Sequence, residues 1–163
     1  SKRLAISWSI SKTTKKKMRK IYLAKNTSSK ELLDEVLRLN GIFDYKLRYN
    51  EYGKPYLESG ELFFNLSHSG EYTACAISDK EIGIDIQKIC IKEHAMRRIC
   101  TPEEQAQIKT AEDFTRIWVI KESYAKAKGM GISLGLQNIN ALSLKDAEVW
   151  QQDEYMVACY NVP

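Results

Sequence analysis

Residues 62–88 decide the fold that the sequence predicts, and they read LFFNLSHSGEYTACAISDKEIGIDIQK. Three short apolar runs lie in this stretch, Leu62–Leu66, Thr73–Ile77 and Ile82–Ile86, and they are separated by Ser-His-Ser-Gly and Asp-Lys. Apolar runs of this length between turn-forming residues are typical of β-strands. The stretch therefore predicts three strands in an antiparallel meander.

On the N-terminal side of this stretch the pattern predicts both helix and strand. We expect a strand at Leu4–Trp8 and a basic amphipathic helix at Thr13–Lys25. The polar break Asn26–Ser29 offers an N-cap for a second helix, which stops at Gly41. Alternate aromatic and apolar residues at Phe43–Tyr49 predict a strand, and Glu51–Pro55 predicts a turn. A mixed α/β unit therefore precedes residue 80.

A similar order follows on the C-terminal side. Thr101-Pro102 predicts a helix start, and a longer helix is expected at Ala111–Lys128, ending at Gly129. Strands are expected at Ile139–Leu144, Glu148–Gln151 and Tyr155–Val162. The element order predicts an α+β protein of two similar α/β lobes that form a pseudo-dimer, with residues 1–82 in one lobe and 83–163 in the other.

Composition excludes several classes of protein. The 163 residues are 44% hydrophobic and 28% charged, which allows a substantial core and excludes a disordered or collagen-like chain. No apolar run reaches the roughly 18 residues that a membrane span needs, and the N-terminal residues lack the pattern of a secretory leader. We expect a cytoplasmic protein that does not bind membranes, with four reduced cysteines that pack in the interior.

The basic residues are concentrated at one end of the chain. Residues 1–30 carry ten Lys or Arg and no acidic residue, and the remainder has an acidic excess. A cationic block of this kind favours an anionic partner such as a phosphate, a nucleic acid or an acidic protein. The alternative is that these lysines form the solvated face of a helix, and charge alone does not separate the two.

Four polar residues are the main candidates for chemistry. Asp85 and Gln87 lie between apolar residues and so share one face of a predicted strand, while Glu122 and Lys126 border the apolar side of the long helix. One hypothesis is that Asp85 and Glu122 converge on a divalent metal, with Lys126 reaching an anionic ligand, since two carboxylates with open positions suit Mg²⁺. The alternatives are a turn-forming Asp85 and a surface Glu122–Lys126 ion pair.

Ser67, His68, Lys54 and Glu104 are further candidates. Ser67 and His68 are neighbours on a strand and point to opposite faces, which argues against a nucleophile–base pair and favours donors to phosphate. Lys54 in the Gly53–Pro55 turn is a similar donor. Glu104 follows Thr101 with the spacing of a capping box, and that structural role explains it without any catalysis.

In their order along the chain, these motifs resemble the 4′-phosphopantetheinyl transferases of the surfactin-synthetase-activating type. The resemblance runs from about Arg19 to Leu136 and rests on four segments: Gly53-Lys54-Pro55, Phe64-Asn65-Leu66-Ser67-His68-Ser69-Gly70, Gly83-Ile84-Asp85-Ile86, and Trp118 to Gly131. It implies a pseudo-dimer of two lobes with coenzyme A in the cleft between them.

The resemblance also implies a role for each candidate. Asp85, Glu122 and the residue at Gln87 would be the Mg²⁺ ligands, with a neutral amide here where many relatives have Glu. Lys126 would contact the diphosphate, and Glu104 would deprotonate the incoming serine. The coenzyme A nucleotide and phosphates would be bound by Lys54, Ser67, His68 and Lys30, the last at a position where the family usually has arginine.

The function implied is a Mg²⁺-dependent transfer of 4′-phosphopantetheine from coenzyme A to a serine of an apo acyl or peptidyl carrier protein. Adenosine 3′,5′-bisphosphate would be released, and the enzyme is expected to be a monomer with internal pseudo-symmetry that binds no nucleic acid. One alternative is a protein that binds coenzyme A or a nucleotide without catalysis, because Gln87 weakens the metal site. The other is a nucleic-acid-binding module built on the basic N-terminal segment, although such a module has no need of Asp85 or Glu122.

Overall fold

The mixed α+β prediction is confirmed by a computed structural model that describes residues 7–9, 18–131 and 135–163. In chain order the elements are β1 (Ser7–Ser9), β2 (Arg19–Lys25), α1 (Ser29–Leu39), β3 (Leu47–Tyr49), β4 (Pro55–Leu57), β5 (Phe63–Ser69), β6 (Tyr72–Ser78), β7 (Ile82–Lys88), α2 (Glu93–Ile99), α3 (Pro102–Gln105), α4 (Ala111–Lys128), β8 (Glu148–Gln152) and β9 (Tyr155–Asn161). Short 3₁₀ turns at Leu136–Asn138 and Ala141–Ser143 connect α4 to β8.

The strands form three antiparallel sheets. One has the order β1-β2-β6-β5, a second contains β7-β9-β8, and β3 and β4 form a small hairpin. The first and second sheets pack face to face through aliphatic residues such as Ile21, Leu23, Ile84 and Val157. Helix α1 covers the outer face of the first sheet, and α4 covers that of the second. The layers therefore run α1, sheet, sheet, α4.

The predicted helix at Thr13–Lys25 is wrong where the structure describes it, because residues 19–25 form β2. Ile21 and Leu23 pack against the second sheet, whereas Tyr22 and Ala24 pack against α1. Four consecutive apolar residues buried on two faces are the pattern of a central strand, which a helical stripe resembles over so short a run. The part of that prediction at residues 13–17, and residues 4–6 of the predicted first strand, lie outside the described residues.

The predicted three-strand meander is only partly correct. β5 and β6 pair as expected, but β7 leaves that sheet and pairs with β9. The predicted strand at Ile139–Leu144 is also wrong. There the Asn140 side chain accepts a hydrogen bond from the Leu142 amide and starts a 3₁₀ turn.

The predictions of a helix after the polar break Asn26–Ser29 and of one at Ala111–Lys128 are confirmed. Ser28 forms a capping box with Glu31 at the start of α1, and Thr110 forms one with Asp113 at the start of α4. Helix α4 ends at Gly129, whose φ of 66° is left-handed and suits glycine. No helix in the described ranges is long and apolar enough to cross a bilayer.

Candidate active site

A cavity of about 330 Å³ brings together six of the nine residues that the sequence marks as site candidates. We call it the polar cavity, and its candidate residues are Ser67, His68, Asp85, Gln87, Glu122 and Lys126. Ser29 and Leu66 complete its wall. Asp85 from β7 and Glu122 from α4 therefore line the same cavity, as the metal-site hypothesis requires.

Glycine at position 83 allows strand β7 to approach helix α4. A Cβ atom on Gly83 would lie 1.9 Å from the Ser123 carbonyl oxygen and 2.4 Å from the Ala127 nitrogen. No side chain fits at such distances, so the strand passes directly over the helix backbone. Asp85, two residues further on, thereby reaches Lys126 on the same helix.

Asp85 is 2% exposed and is held by three hydrogen-bond donors. Lys126 Nζ lies 3.0 Å from Asp85 Oδ1, Ser67 Oγ lies 3.1 Å from the same oxygen, and Gln87 Nε2 lies 3.2 Å from Oδ2. Burial raises the pKa of Asp85 above its ordinary value, and Lys126 opposes that shift. The carboxylate is thus desolvated but strongly hydrogen-bonded.

Glu122 borders the polar cavity on the α4 side. Burial raises its pKa, the charge of Asp85 raises it further, and Lys126 opposes both effects. The Trp118 indole nitrogen donates to Glu122 Oε1 at 3.4 Å. The ion pair of Lys126 is therefore with Asp85 across the fold, and not the alternative surface pair with Glu122. Two carboxylates consequently face one lysine.

Three site candidates lie away from the polar cavity. Lys30 pairs with Asp34 at 2.8 Å beside a second, larger cavity, and Lys54 Nζ contacts Glu81 Oε2 at 2.8 Å. Glu104 is 0% exposed and forms both the predicted capping box with Thr101 and an ion pair with Lys121 at 2.6 Å. The structural alternative for Glu104 is thus present, while its predicted catalytic role stays a prediction.

The second cavity has a volume of about 640 Å³ and is predominantly aromatic and apolar. We call it the aromatic cavity, after Phe43, Tyr45, Tyr49 and Phe64 in its wall. It shares Leu66 with the polar cavity, so the two cavities adjoin. Sequence analysis missed this cavity because it predicted one strand over Phe43–Tyr49, whereas β3 spans only Leu47–Tyr49 and Phe43 lies outside it.

Ser29 and Gln87 show what else sequence analysis missed. Ser29 is the first residue of α1 and turns out to line the polar cavity, and the polar break before that helix was the available signal. Gln87 was expected as a metal ligand through its carbonyl oxygen, whereas here its amide nitrogen donates to Asp85. The described residues contain no cluster of three or more His, Cys, Asp or Glu side chains that could hold a metal.

Comparison with known proteins identifies the family. The family model of the 4′-phosphopantetheinyl transferase superfamily matches residues 81–159. The 4′-phosphopantetheinyl transferase Sfp of Bacillus subtilis (strain 168) is 30% identical over 156 residues, which cover 86% of this chain and 69% of that protein. The chain belongs to the 4′-phosphopantetheinyl transferase superfamily. This result confirms the resemblance found in the sequence motifs.

Two further members match shorter segments at higher identity. A 4′-phosphopantetheinyl transferase of Bacillus subtilis is 37% identical over 59% of this chain and 46% of its own length. The 4′-phosphopantetheinyl transferase gsp of Aneurinibacillus migulanus is 39% identical over 56% of this chain and 41% of its own length. The matched part of the chain therefore spans less than half the length of these two superfamily members.

Proposed function

We propose that this protein transfers 4′-phosphopantetheine from coenzyme A to a serine of an apo acyl or peptidyl carrier protein and releases adenosine 3′,5′-bisphosphate. The observation that carries this proposal is the meeting of Asp85, Glu122 and Lys126 at one cavity in a member of this superfamily. The cavity offers carboxylates for a cation and a lysine for phosphate oxygens, which are the groups that cleavage of a diphosphate requires.

The residues of the polar cavity fit a hard divalent cation. Glu122 lies close enough to Asp85 for the charge of one to raise the pKa of the other, and Lys126 alone does not cancel two carboxylates. An ion held by oxygen ligands from Asp85 and Glu122 would relieve that repulsion, with the Gln87 carbonyl as a third ligand if its amide turned over. When bound, Mg²⁺ would supply positive charge to the diphosphate oxygens.

Lys126 and His68 are proposed to bind and orient the diphosphate. Lys126 Nζ already donates to Asp85, to the Ile84 carbonyl at 3.0 Å and to the Leu66 carbonyl at 3.4 Å, so its position is well defined. These bonds use all three ammonium protons, and the long bond to Leu66 is the one that a phosphate oxygen would replace. His68 is exposed at the rim of the cavity. The amino end of α1, at Ser29, faces the same cavity and favours an anion there.

The general-base role of Glu104 remains a prediction that this geometry does not support. Its Oε2 accepts hydrogen bonds from the Thr101 amide and from Lys121, and its Oε1 accepts one from the Ala141 amide. To take a proton from a serine, the carboxylate would have to leave this fully buried set of donors. Substitution of its partner Lys121 would separate a structural role of Glu104 from a catalytic one.

Lys30 and Lys54 are proposed to bind the nucleotide part of coenzyme A. Lys30 is highly exposed and lies on the aromatic cavity next to the diphosphate position. Lys54 would have to release Glu81, which is partly exposed, to reach a phosphate. The ion pair of Lys30 is a surface pair worth about 0–1 kcal/mol, which a phosphate could replace. Lys54 is held more firmly, because its ammonium also donates to the Ile82 and Ala127 carbonyls.

We also propose that the chain is a monomer of two lobes, residues 1–82 and 83–163. The layer order supports this division, since each lobe contributes one larger sheet covered by one helix, α1 or α4, and the first lobe adds the β3–β4 hairpin. The polar cavity then lies between the lobes, with Ser67 from one and Asp85 from the other.

The proposal is tested by incubating the protein with coenzyme A, Mg²⁺ and a panel of apo carrier proteins and measuring carrier mass. Wild-type protein should add one phosphopantetheine to at least one carrier. Asp85→Asn should lose transfer by about 100-fold or more, whereas Asp79→Asn, which removes an exposed carboxylate outside the cavity, should retain it. No adduct on any carrier would contradict the proposal.

Gln87 favours a second candidate function, binding of coenzyme A without transfer. A neutral amide in place of a third carboxylate leaves less negative charge to hold the metal. This candidate predicts that calorimetry detects coenzyme A binding by a protein that modifies no carrier.

A further inference from the structure

Strands β5 and β7 belong to different sheets but are joined by side chains. Asn65 Oδ1 accepts a hydrogen bond from the Ile84 amide at 2.9 Å, Ser67 Oγ accepts one from the Ile86 amide at 3.1 Å, and Ser69 Oγ accepts one from the Lys88 amide at 3.0 Å. Both strands advance by two residues per contact, so they run parallel. We call these three contacts the β5–β7 ladder.

Ser67 differs from the other two members of the ladder. Its hydroxyl also contacts Asp85 Oδ1 at 3.1 Å, whereas Ser69 has no side-chain partner of this kind among the described residues. A hydroxyl group has a single proton and two acceptor lone pairs. The Ile86 amide supplies its own proton, so the serine proton is the one that bonds to the carboxylate.

This assignment leaves Ser67 without a proton for a phosphate. Phosphate oxygens need donors, and the only proton that Ser67 has points to Asp85. Ser67 is also 8% exposed, so the ladder and the carboxylate enclose it. His68, which follows it, is exposed and remains available as a donor at the cavity rim.

We propose that Ser67 is a positioning residue that holds the Asp85 carboxylate toward the polar cavity, and not a ligand of the coenzyme A phosphates. The proposal rests on the proposed function in taking Asp85 as a metal ligand. Ser67 fixes Asp85 Oδ1 while Gln87 holds Oδ2, and the ladder fixes Ser67 itself relative to β7. Residues that orient metal ligands in this way commonly change metal affinity by about 10- to 100-fold when they are removed.

Ser67→Ala and Ser69→Ala form a matched pair of variants. Each removes one serine hydroxyl and one ladder hydrogen bond, but only Ser67→Ala removes a bond to Asp85. Mn²⁺ serves as the probe because electron paramagnetic resonance measures its binding directly. We expect Ser67→Ala to weaken Mn²⁺ binding about 10-fold, and Ser69→Ala to change it less than about 2-fold. Ser67→Ala should also lose more thermal stability than Ser69→Ala, because its two hydrogen bonds are buried and one of them is to a carboxylate.

Binding of adenosine 3′,5′-bisphosphate in EDTA separates the two roles of Ser67. A positioning residue leaves this metal-free affinity unchanged in Ser67→Ala, whereas a phosphate ligand weakens it. Ser67→Thr, which returns the hydroxyl, should recover most of the Mn²⁺ affinity if its melting temperature shows that the added methyl group is accommodated.

Several outcomes would overturn the proposal. These are weaker nucleotide binding with unchanged Mn²⁺ affinity in Ser67→Ala, equal loss of Mn²⁺ affinity in both serine variants, or absence of Mn²⁺ binding by the wild-type protein. Failure of the wild-type protein to modify any carrier would contradict the proposed function alone. The Mn²⁺ measurements would still support the positioning role, because they require no turnover.

Discussion

Two lysines five residues apart on α4 each pair with a carboxylate, yet their surroundings differ. Lys121 Nζ lies 2.6 Å from Glu104 Oε2, and both side chains are 0% exposed. Lys126 Nζ lies 3.0 Å from Asp85 Oδ1, and the exposed fraction of the side chain is 29% for the lysine and 3% for the aspartate. We call the first the sealed pair and the second the open pair. The same two types of charged group are thus enclosed in one place and border a cavity in the other.

Both side chains of the sealed pair also form hydrogen bonds with the backbone. Glu104 also accepts hydrogen bonds from two backbone amides, and Lys121 donates to the Ile99 carbonyl at 2.6 Å. These contacts attach the end of α2, the short helix α3 and the turn at Ala141 to α4. The open pair faces the polar cavity and a second carboxylate, Glu122. An excess of carboxylates over cations at a cavity therefore marks a candidate site better than the presence of an ion pair does.

The largest effect is expected when the same substitution is made in both lysines. Lys121→Met leaves a fully buried Glu104 without its cation, which typically costs about 3–5 kcal/mol of folding free energy. Lys126→Met leaves Asp85 beside a cavity with Ser67 and Gln87 still bonded, so about 1 kcal/mol is expected. Thermal unfolding measures both: a drop of about 10 °C for the first variant and about 3 °C for the second.

Transfer activity should show the opposite order. Lys126→Met should lose about 100-fold in kcat/KM because the diphosphate loses a cation, whereas Lys121→Met should lose activity only in proportion to its unfolded fraction. Equal stability losses would show that Glu104 and Asp85 depend equally on their lysine partners. A Lys121→Met protein that stays folded but inactive would instead favour the predicted chemical role of Glu104.

Sequence analysis singled out both residues of the open pair, although it did not predict that they pair with each other, and it missed Lys121 of the sealed pair altogether. Helical and strand periodicity place Glu122, Lys126 and Asp85 on particular faces, and those faces meet because Gly83 lets β7 approach α4. Lys121 has no local signal of burial, since its partner lies on α3 and is brought there only by tertiary packing. Strand β2 was missed for a similar reason, because packing on both of its faces decides between strand and helix over so few residues.

Gln87→Glu would add a third carboxylate beside the open pair. We expect about 10-fold tighter Mn²⁺ binding, equivalent to about 1.4 kcal/mol, since metal affinity rises with ligand charge. Without metal the variant should be less stable, because Asp85 loses the Gln87 donor and gains a like charge. Saturating Mn²⁺ should restore its melting temperature.

The matched control for this variant is Gln151→Glu, which makes the same change at an exposed position on β8. Both Mn²⁺ affinity and melting temperature should stay near their wild-type values. A Gln87→Glu protein with unchanged Mn²⁺ affinity would show that residue 87 does not reach the metal.

The smallest expected effect is a gain in stability from Glu122→Gln. The pKa of Glu122 lies above its ordinary value of 4.5, chiefly because the carboxyl is buried and also because Asp85 is near. A pKa raised by folding means that the ionised form destabilises the fold, so stability is gained as the pH falls through the folded pKa. Glutamine keeps the neutral form at every pH, and the metal-free variant should melt about 1–3 °C higher at pH 7. That advantage should vanish below about pH 4, where Glu122 itself is protonated, and added Mg²⁺ should stabilise the wild-type protein more than the variant.

Glu61→Gln, at an exposed position outside both cavities, is the control and should show neither effect. A lower melting temperature for Glu122→Gln at pH 7 would mean that the carboxylate is already neutralised within the fold, and the open pair would then resemble the sealed one.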